Sequence, residues 1–181
     1  MPVSSPASEA SGTPEADPQG NKSLLFDLSA IDLTACRADR EAIAKANPHR
    51  GVMALLDKVI WHNDDITEGV GVKKIRDDEF WVPGHFPGKP VFPGVLQVET
   101  AAQLACYIYI IRKTGPGIVF FLRIEHAAFR GTVVPGDEFI VLCKEVKAQR
   151  RRFISDVQGL VGGKTVFDAR ISGMFVEGTT M

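Results

Sequence analysis

Residues Val95 to Thr114, VLQVETAAQLACYIYIIRKT, hold neither glycine nor proline, and Gly115-Pro116-Gly117 stops them abruptly. At 1.5 Å per residue they form a helix about 30 Å long. The segment is apolar almost all round, so it has no face suited to water and has to be buried. A chain built on such a helix needs a layer to wrap it. The longest unbroken apolar run, Leu104 to Ile111, is far shorter than the ~20 residues of a membrane span. The wrapping layer must therefore come from the chain itself, and no membrane span is predicted.

The rest of the chain supplies that layer as strands. Val52–Trp61 is apolar and rich in branched residues, and Ile66–Ile75, Ile118–Ile124, Phe139–Val146 and Phe153–Leu160 read the same way. Lys164–Val176 alternates most clearly, with Phe167, Ala169, Ile171 and Phe175 on one side and Asp168, Arg170 and Ser172 on the other. Val161-Gly162-Gly163-Lys164 reads as the hairpin turn before it. These segments predict an α+β fold, one antiparallel sheet of five or six strands curled around one long central helix. A short helix is predicted within ADREAIAKAN, ending where Asn47 meets Pro48. Leu24, Leu25, Phe26, Leu28, Ile31 and Leu33 can anchor the segment before it to the core.

Composition narrows the classes. A 45% hydrophobic chain of 181 residues can bury a core and is not mainly disordered. With 21 basic against 22 acidic side chains it is not a generically basic nucleic-acid binder. Cys36, Cys106 and Cys143 are scattered, and His49, His62, His85 and His126 lack metal-ligand spacing, so neither a disulfide framework nor a metal site is expected. The opening MPVSSPASEASGTPEADPQG resembles neither a signal nor a transit peptide, and a reducing cytoplasm fits best. Residues 1–22 read as a disordered N-terminal tail and 23–181 as a single domain.

The candidate chemistry sits just before the long helix, in Gly84-His85-Phe86-Pro87-Gly88-Lys89-Pro90-Val91-Phe92-Pro93-Gly94-Val95. Prolines stiffen this loop while glycines allow close approach. The free N–H groups at the helix start favour negative charge, including that on a polarised carbonyl oxygen. Glu99 and Gln103 lie one turn apart on the helix. A carboxyl in apolar surroundings has a raised pKa, which suits a general acid, and His85 is the matching base. Each residue also has an ordinary structural reading, the histidine as a hydrogen-bonded loop residue and the glutamate as a paired core residue. The residues alone leave catalysis and structure evenly balanced. Tyr107 and Tyr109 read as core, and His49-Arg50 as a salt bridge in preference to a phosphate ligand.

The run from Gly84 to Glu99, with Ala101-Ala102-Gln103 after it, resembles the signature of the FabZ-type β-hydroxyacyl-(acyl carrier protein) dehydratases of fatty-acid synthesis. Pro48-His49-Arg50 with Leu55-Leu56-Asp57-Lys58-Val59, and Ile124 to Asp137 (IEHAAFRGTVVPGD), resemble two further blocks of that family. The resemblance spans roughly 47–176. It implies the hot-dog fold, a homodimer, often three dimers together, and no cofactor. It implies His85 and Glu99 as catalytic residues from opposite protomers, with Gly94 offering its N–H to the thioester carbonyl. The Val91 carbonyl would orient His85, and Gln103 would bond Glu99. The implied partner is an acyl carrier protein bearing a 4'-phosphopantetheine-linked substrate. Arg150, Arg151 and Arg152 are candidates for docking it, alongside Lys73-Lys74-Arg76 and Arg112-Lys113. Glu99, where related dehydratase/isomerases carry Asp, resembles the dehydratase-only branch. Gly51-Val52-Met53 replaces the family's usual Tyr-Pro-Phe, which implies a reshaped entrance or tunnel. A hot-dog acyl thioesterase and a non-catalytic acyl-carrier-binding subunit are the alternatives.

Overall fold

In the computed structural model the described residues are 23–178, so the expected tail over 1–22 lies outside them. Helix α1 spans Arg40–Ala46 and helix α2 Gly94–Ile110. The strands are β1 Lys58–His62, β2 Glu68–Lys74, β3 Gly117–Phe129, β4 Glu138–Ala148, β5 Arg152–Val161 and β6 Lys164–Glu177. They form one six-stranded sheet in the order β1-β2-β4-β5-β6-β3, every pairing antiparallel.

Helix α2 lies against β2 to β6, so the sheet does wrap it. Ala101, Leu104, Ala105 and Ile108 meet Phe139, Val141, Val157, Phe167 and Ile171 in the main core. Both tyrosines are in that core, and Tyr109 also donates its hydroxyl to the carbonyls of Gln149 (3.1 Å) and Arg150 (3.0 Å). The helix ends earlier than Thr114, with Ile111 as its C-cap. Arg112 turns aside there to pair with Glu145.

Asp39 caps α1 by accepting from Ala42 N–H at 2.8 Å, and Asn47 closes it in extended conformation before Pro48. Gly162 (φ 56°) and Gly163 (φ 76°) both take the left-handed backbone that a two-residue hairpin requires. The strand expected over Val52–Trp61 is shorter than its apolar pattern. Gly51–Met53 is a 3-10 turn, and Leu55 and Leu56 give their N–H groups to the Gln103 side chain on α2, at 3.0 and 3.2 Å. Those donors are lost to a strand ladder, and β1 begins only at Lys58. In β6 the expected alternation holds from Ala169 onward. Asp168, assigned to the polar side, is buried and ion-paired to Arg130 at 2.7 Å.

The opposite face of the sheet carries a second apolar cluster of Ile60, Val70, Val72, Leu142 and Leu160. Leu25, Phe26, Leu28 and Ile31 cover it, whereas Leu24 and Leu33 remain exposed. Buried Gln158 clasps this segment, accepting from Leu25 N–H and donating to the Ser23 carbonyl, both at 2.9 Å.

Candidate active site

The loop between β2 and α2 is tied down before it reaches His85. Lys73 on β2 is 1% exposed and pairs with Glu79 at 2.8 Å. Glu79 also accepts from Arg76 N–H (3.0 Å) and from the Trp81 indole (3.1 Å). Burial pushes Glu79 upward, but these donors outweigh it and hold its carboxyl below the ordinary range. Burial also pushes the Lys73 ammonium down, against the pull of Glu79. Trp81 packs on Phe92 with ring centroids 5.5 Å apart, and Phe92 N–H reaches the Val133 carbonyl at 2.7 Å. Both feet of the loop are thus anchored in the core.

His85 sits half-buried on this frame. Its N–H bonds the Trp81 carbonyl at 2.9 Å, its carbonyl accepts from Val91 N–H at 2.8 Å, and its Nδ1 lies 2.7 Å from the Val91 carbonyl oxygen. A carbonyl only accepts, so Nδ1 carries hydrogen and, in the neutral ring, Nε2 keeps its lone pair for a proton. Helix α2 begins at Gly94, with the Phe129 ring so close that a Cβ there would stand 2.9 Å from it. Among the described residues nothing accepts the Gly94 or Val95 N–H, as the helix start predicts.

Glu99 lies one and a half turns in, and one of its oxygens is doubly held. Oε1 accepts from Gln103 Nε2 at 2.9 Å and lies 3.2 Å from His49 Nε2. Among the described residues no partner takes Oε2. The sequence reading expects a raised pKa here, and the direction is the reverse. Burial does push the carboxyl up, but hydrogen bonds from His49 and Gln103, with the charge of His49, hold it low. His49 is the site residue the sequence reading left among salt bridges. Among the described residues its companion Arg50 forms none, and instead it caps the carbonyls of Ala44, Asn47 and His49.

A cavity of about 80 Å³ opens beside Glu99, lined by His49, Ala102, Cys106, Phe121 and Phe153. His85 is not part of its lining, and among the described residues no hydrogen bond or ion pair joins His85 to Glu99. Of the basic candidates, Lys73 is buried and Arg112 is paired with Glu145, so neither is available for docking. Arg150, Arg151 and Arg152 are exposed at the β4–β5 turn, near the C-terminal end of α2. Among the described residues no group of three or more His, Cys, Asp or Glu side chains is placed to hold a metal ion.

A sheet curled around a helix that carries a half-buried carboxylate, with a histidine braced on the loop leading into that helix, defines a hot-dog protein with acid–base groups at the helix start. Solved structures agree on the fold. A chain of the dehydratase heterocomplex ApeI:P from Xenorhabdus doucetiae superposes with a TM-score of 0.65 at 15% identity, covering 75% of this chain and 91% of that one. A mutant thioesterase from Pseudomonas aeruginosa gives 0.59 at 14%, covering 78% and 96%. The FabA-like domain family matches residues 47–170, and the chain belongs to that family. It is 37% identical over 139 residues to the 3-hydroxyacyl-[acyl-carrier-protein] dehydratase FabZ of Brucella abortus (strain S19), covering 76% of this chain and 88% of the relative. The FabZ of Sinorhizobium fredii (strain NBRC 101917 / NGR234) is 40% identical over 144 residues, covering 77% and 91%.

Proposed function

We propose that the protein removes water from 3-hydroxyacyl-(acyl carrier protein) thioesters, giving trans-2-enoyl thioesters for fatty-acid biosynthesis. Beyond its relatives, the observation that carries this reading is the pairing of His85 Nδ1 with the Val91 carbonyl, which reserves Nε2 as a base. Elimination starts at a weakly acidic C2–H. His85 Nε2 takes that proton, and charge builds on the thioester oxygen, where the Gly94 N–H and the start of α2 stabilise it. The C3–O bond then breaks, and the departing hydroxyl takes a proton by way of Glu99 Oε2 and leaves as water. Glu99, held as the carboxylate, draws that proton from solvent and His85 returns to solvent the one it gained, so both groups are restored and the reaction carries no net proton. In hydration the Glu99 carboxylate takes a proton back from the water that adds to C3.

His85 and Glu99 would complete one site from opposite protomers of a homodimer. Two features support this reading: the Glu99 cavity excludes His85, and β3 leaves one long edge of the sheet open with Phe120, Phe121, Leu122 and Ile124 exposed. The exposed arginines 150–152 are the proposed contact for an acidic carrier protein with its 4'-phosphopantetheine arm. Free Cys36, Cys106 and Cys143 suit a reducing cytoplasm.

The test is a mass-spectrometric assay of the purified protein with a 3-hydroxyacyl carrier-protein thioester. The expected result is loss of one water, reversed when the enoyl thioester is supplied. Release of free acid would point instead to a thioesterase. An unchanged thioester with tight carrier binding would point to a non-catalytic subunit.

A further inference from the structure

Glu99 is held by a second histidine that the two-residue scheme above does not use. His49 Nε2 stands 3.2 Å from Oε1, the oxygen that Gln103 Nε2 also reaches at 2.9 Å. The segment presenting His49 is fastened on both sides. Asn47, 1% exposed, donates its side chain to the Gln103 carbonyl at 2.8 Å, and Arg50 grips the carbonyls of Asn47 (2.6 Å) and of His49 itself (2.8 Å). Farther along, Gln103 donates to the Met53 carbonyl at 2.7 Å and accepts from Leu55 and Leu56. The backbone around His49 is thereby referenced to the same helix turn that carries Glu99.

We infer that His49 is a positioning residue for Glu99: by donating from Nε2 to Oε1 it fixes that oxygen together with Gln103 and leaves Oε2 alone to face the reacting group. The inference rests on the assignment of Glu99 to proton transfer. A carboxyl with both oxygens free could present either one and rotate between turnovers, whereas this one presents a single oxygen in one orientation. The same hydrogen bond is the larger of the two that hold the Glu99 proton affinity down. It thus favours the carboxylate that forms once the proton has left. The other ionisable groups around His49 are Cys106 in the Glu99 cavity, Arg50 beside it in the chain, and Arg40 and Glu41 in the cleft between α1 and α2.

The test is a carbon-13 NMR titration of the Glu99 carboxyl in the substrate-free protein, its signal identified by its loss in Glu99→Gln. In His49→Phe the midpoint should rise by about one pH unit, roughly tenfold in proton affinity. In His49→Gln, which keeps a donor near Nε2, most of that rise should be absent. Turnover should follow, with kcat down at least about tenfold in His49→Phe, KM little changed, and partial recovery in His49→Gln. A midpoint in His49→Phe equal to that of the parent protein overturns the inference. So does a His49→Gln variant no closer to the parent than His49→Phe. His49→Ala gives the same reading if the phenylalanine variant does not fold. The titration needs no substrate, so it stands apart from failure of the dehydratase assay.

Discussion

At the scale of single residues, the proposed site would divide its work through hydrogen bonds that each group has already made. His85 has spent Nδ1 on Val91, and Glu99 has spent Oε1 on Gln103 and His49, so one atom of each remains for substrate. His85→Ala should abolish dehydration while shifting stability by no more than about 0.5 kcal/mol, because the ring is only half-buried. Glu99→Gln keeps the shape and removes the carboxyl oxygen that would relay the proton, so kcat should fall by about a hundredfold or more with substrate binding little altered. Steady-state kinetics with a carrier-bound substrate, run beside thermal melts, checks both. The placement of His85 on a stiff loop that runs directly into the helix carrying Glu99 was legible in the sequence. The direction of the Glu99 shift was not legible. It depends on His49, which lies far away in the chain and reaches the helix only through the fastening of Asn47 and Arg50.

At the scale of elements, the loop carrying His85 is held by the buried pair of Lys73 on β2 and Glu79. Removing one member of such a pair leaves the other charge unsatisfied, at a cost of about 3–5 kcal/mol. Glu79→Ala should therefore lower the urea midpoint markedly, and it should lower kcat through a loosened His85 even where the fold persists. The pair also sets a pH dependence. Glu79 and Asp57 both titrate below the ordinary carboxylate range, Asp57 because donors from Lys74 N–H, Arg76 and Arg40 outweigh its burial. Their contribution is fully present above the unfolded value of about 4 and is lost as pH falls through the lower folded values. Melting temperature should thus hold level down to about pH 5 and drop below about pH 4, with a smaller drop in Glu79→Ala. A basic run at 73–76 reads as a surface patch in the sequence, since nothing local reveals that Lys73 points inward to an acid. The strands were legible wherever one face is apolar. Leu55 and Leu56 misled because their N–H groups go to the Gln103 side chain in place of a neighbouring strand.

At the scale of the whole molecule, the sheet is capped differently at its two edges. The β1 edge is partly covered, since Ala38 bridges Val59 and Arg37 and Ala38 give their N–H groups to the Val59 carbonyl. The β3 edge is long, apolar and open, the arrangement through which two copies can continue one sheet into the next. If that pairing brings the His85 of one copy to the Glu99 of another, two inactive proteins should repair each other. In a dimer of one His85→Ala chain and one Glu99→Gln chain, one site carries both defects and the other carries neither. Co-refolding the two variants in equal amounts makes mixed dimers about half the population, each with one good site, so activity should return to about a quarter of the parent level. Phe120→Asp on either partner, outside the lining of the Glu99 cavity, should abolish the recovery by placing a charge at the edge. Sites contained within single chains would give no recovery at any mixing ratio, since every chain would then carry its own defect.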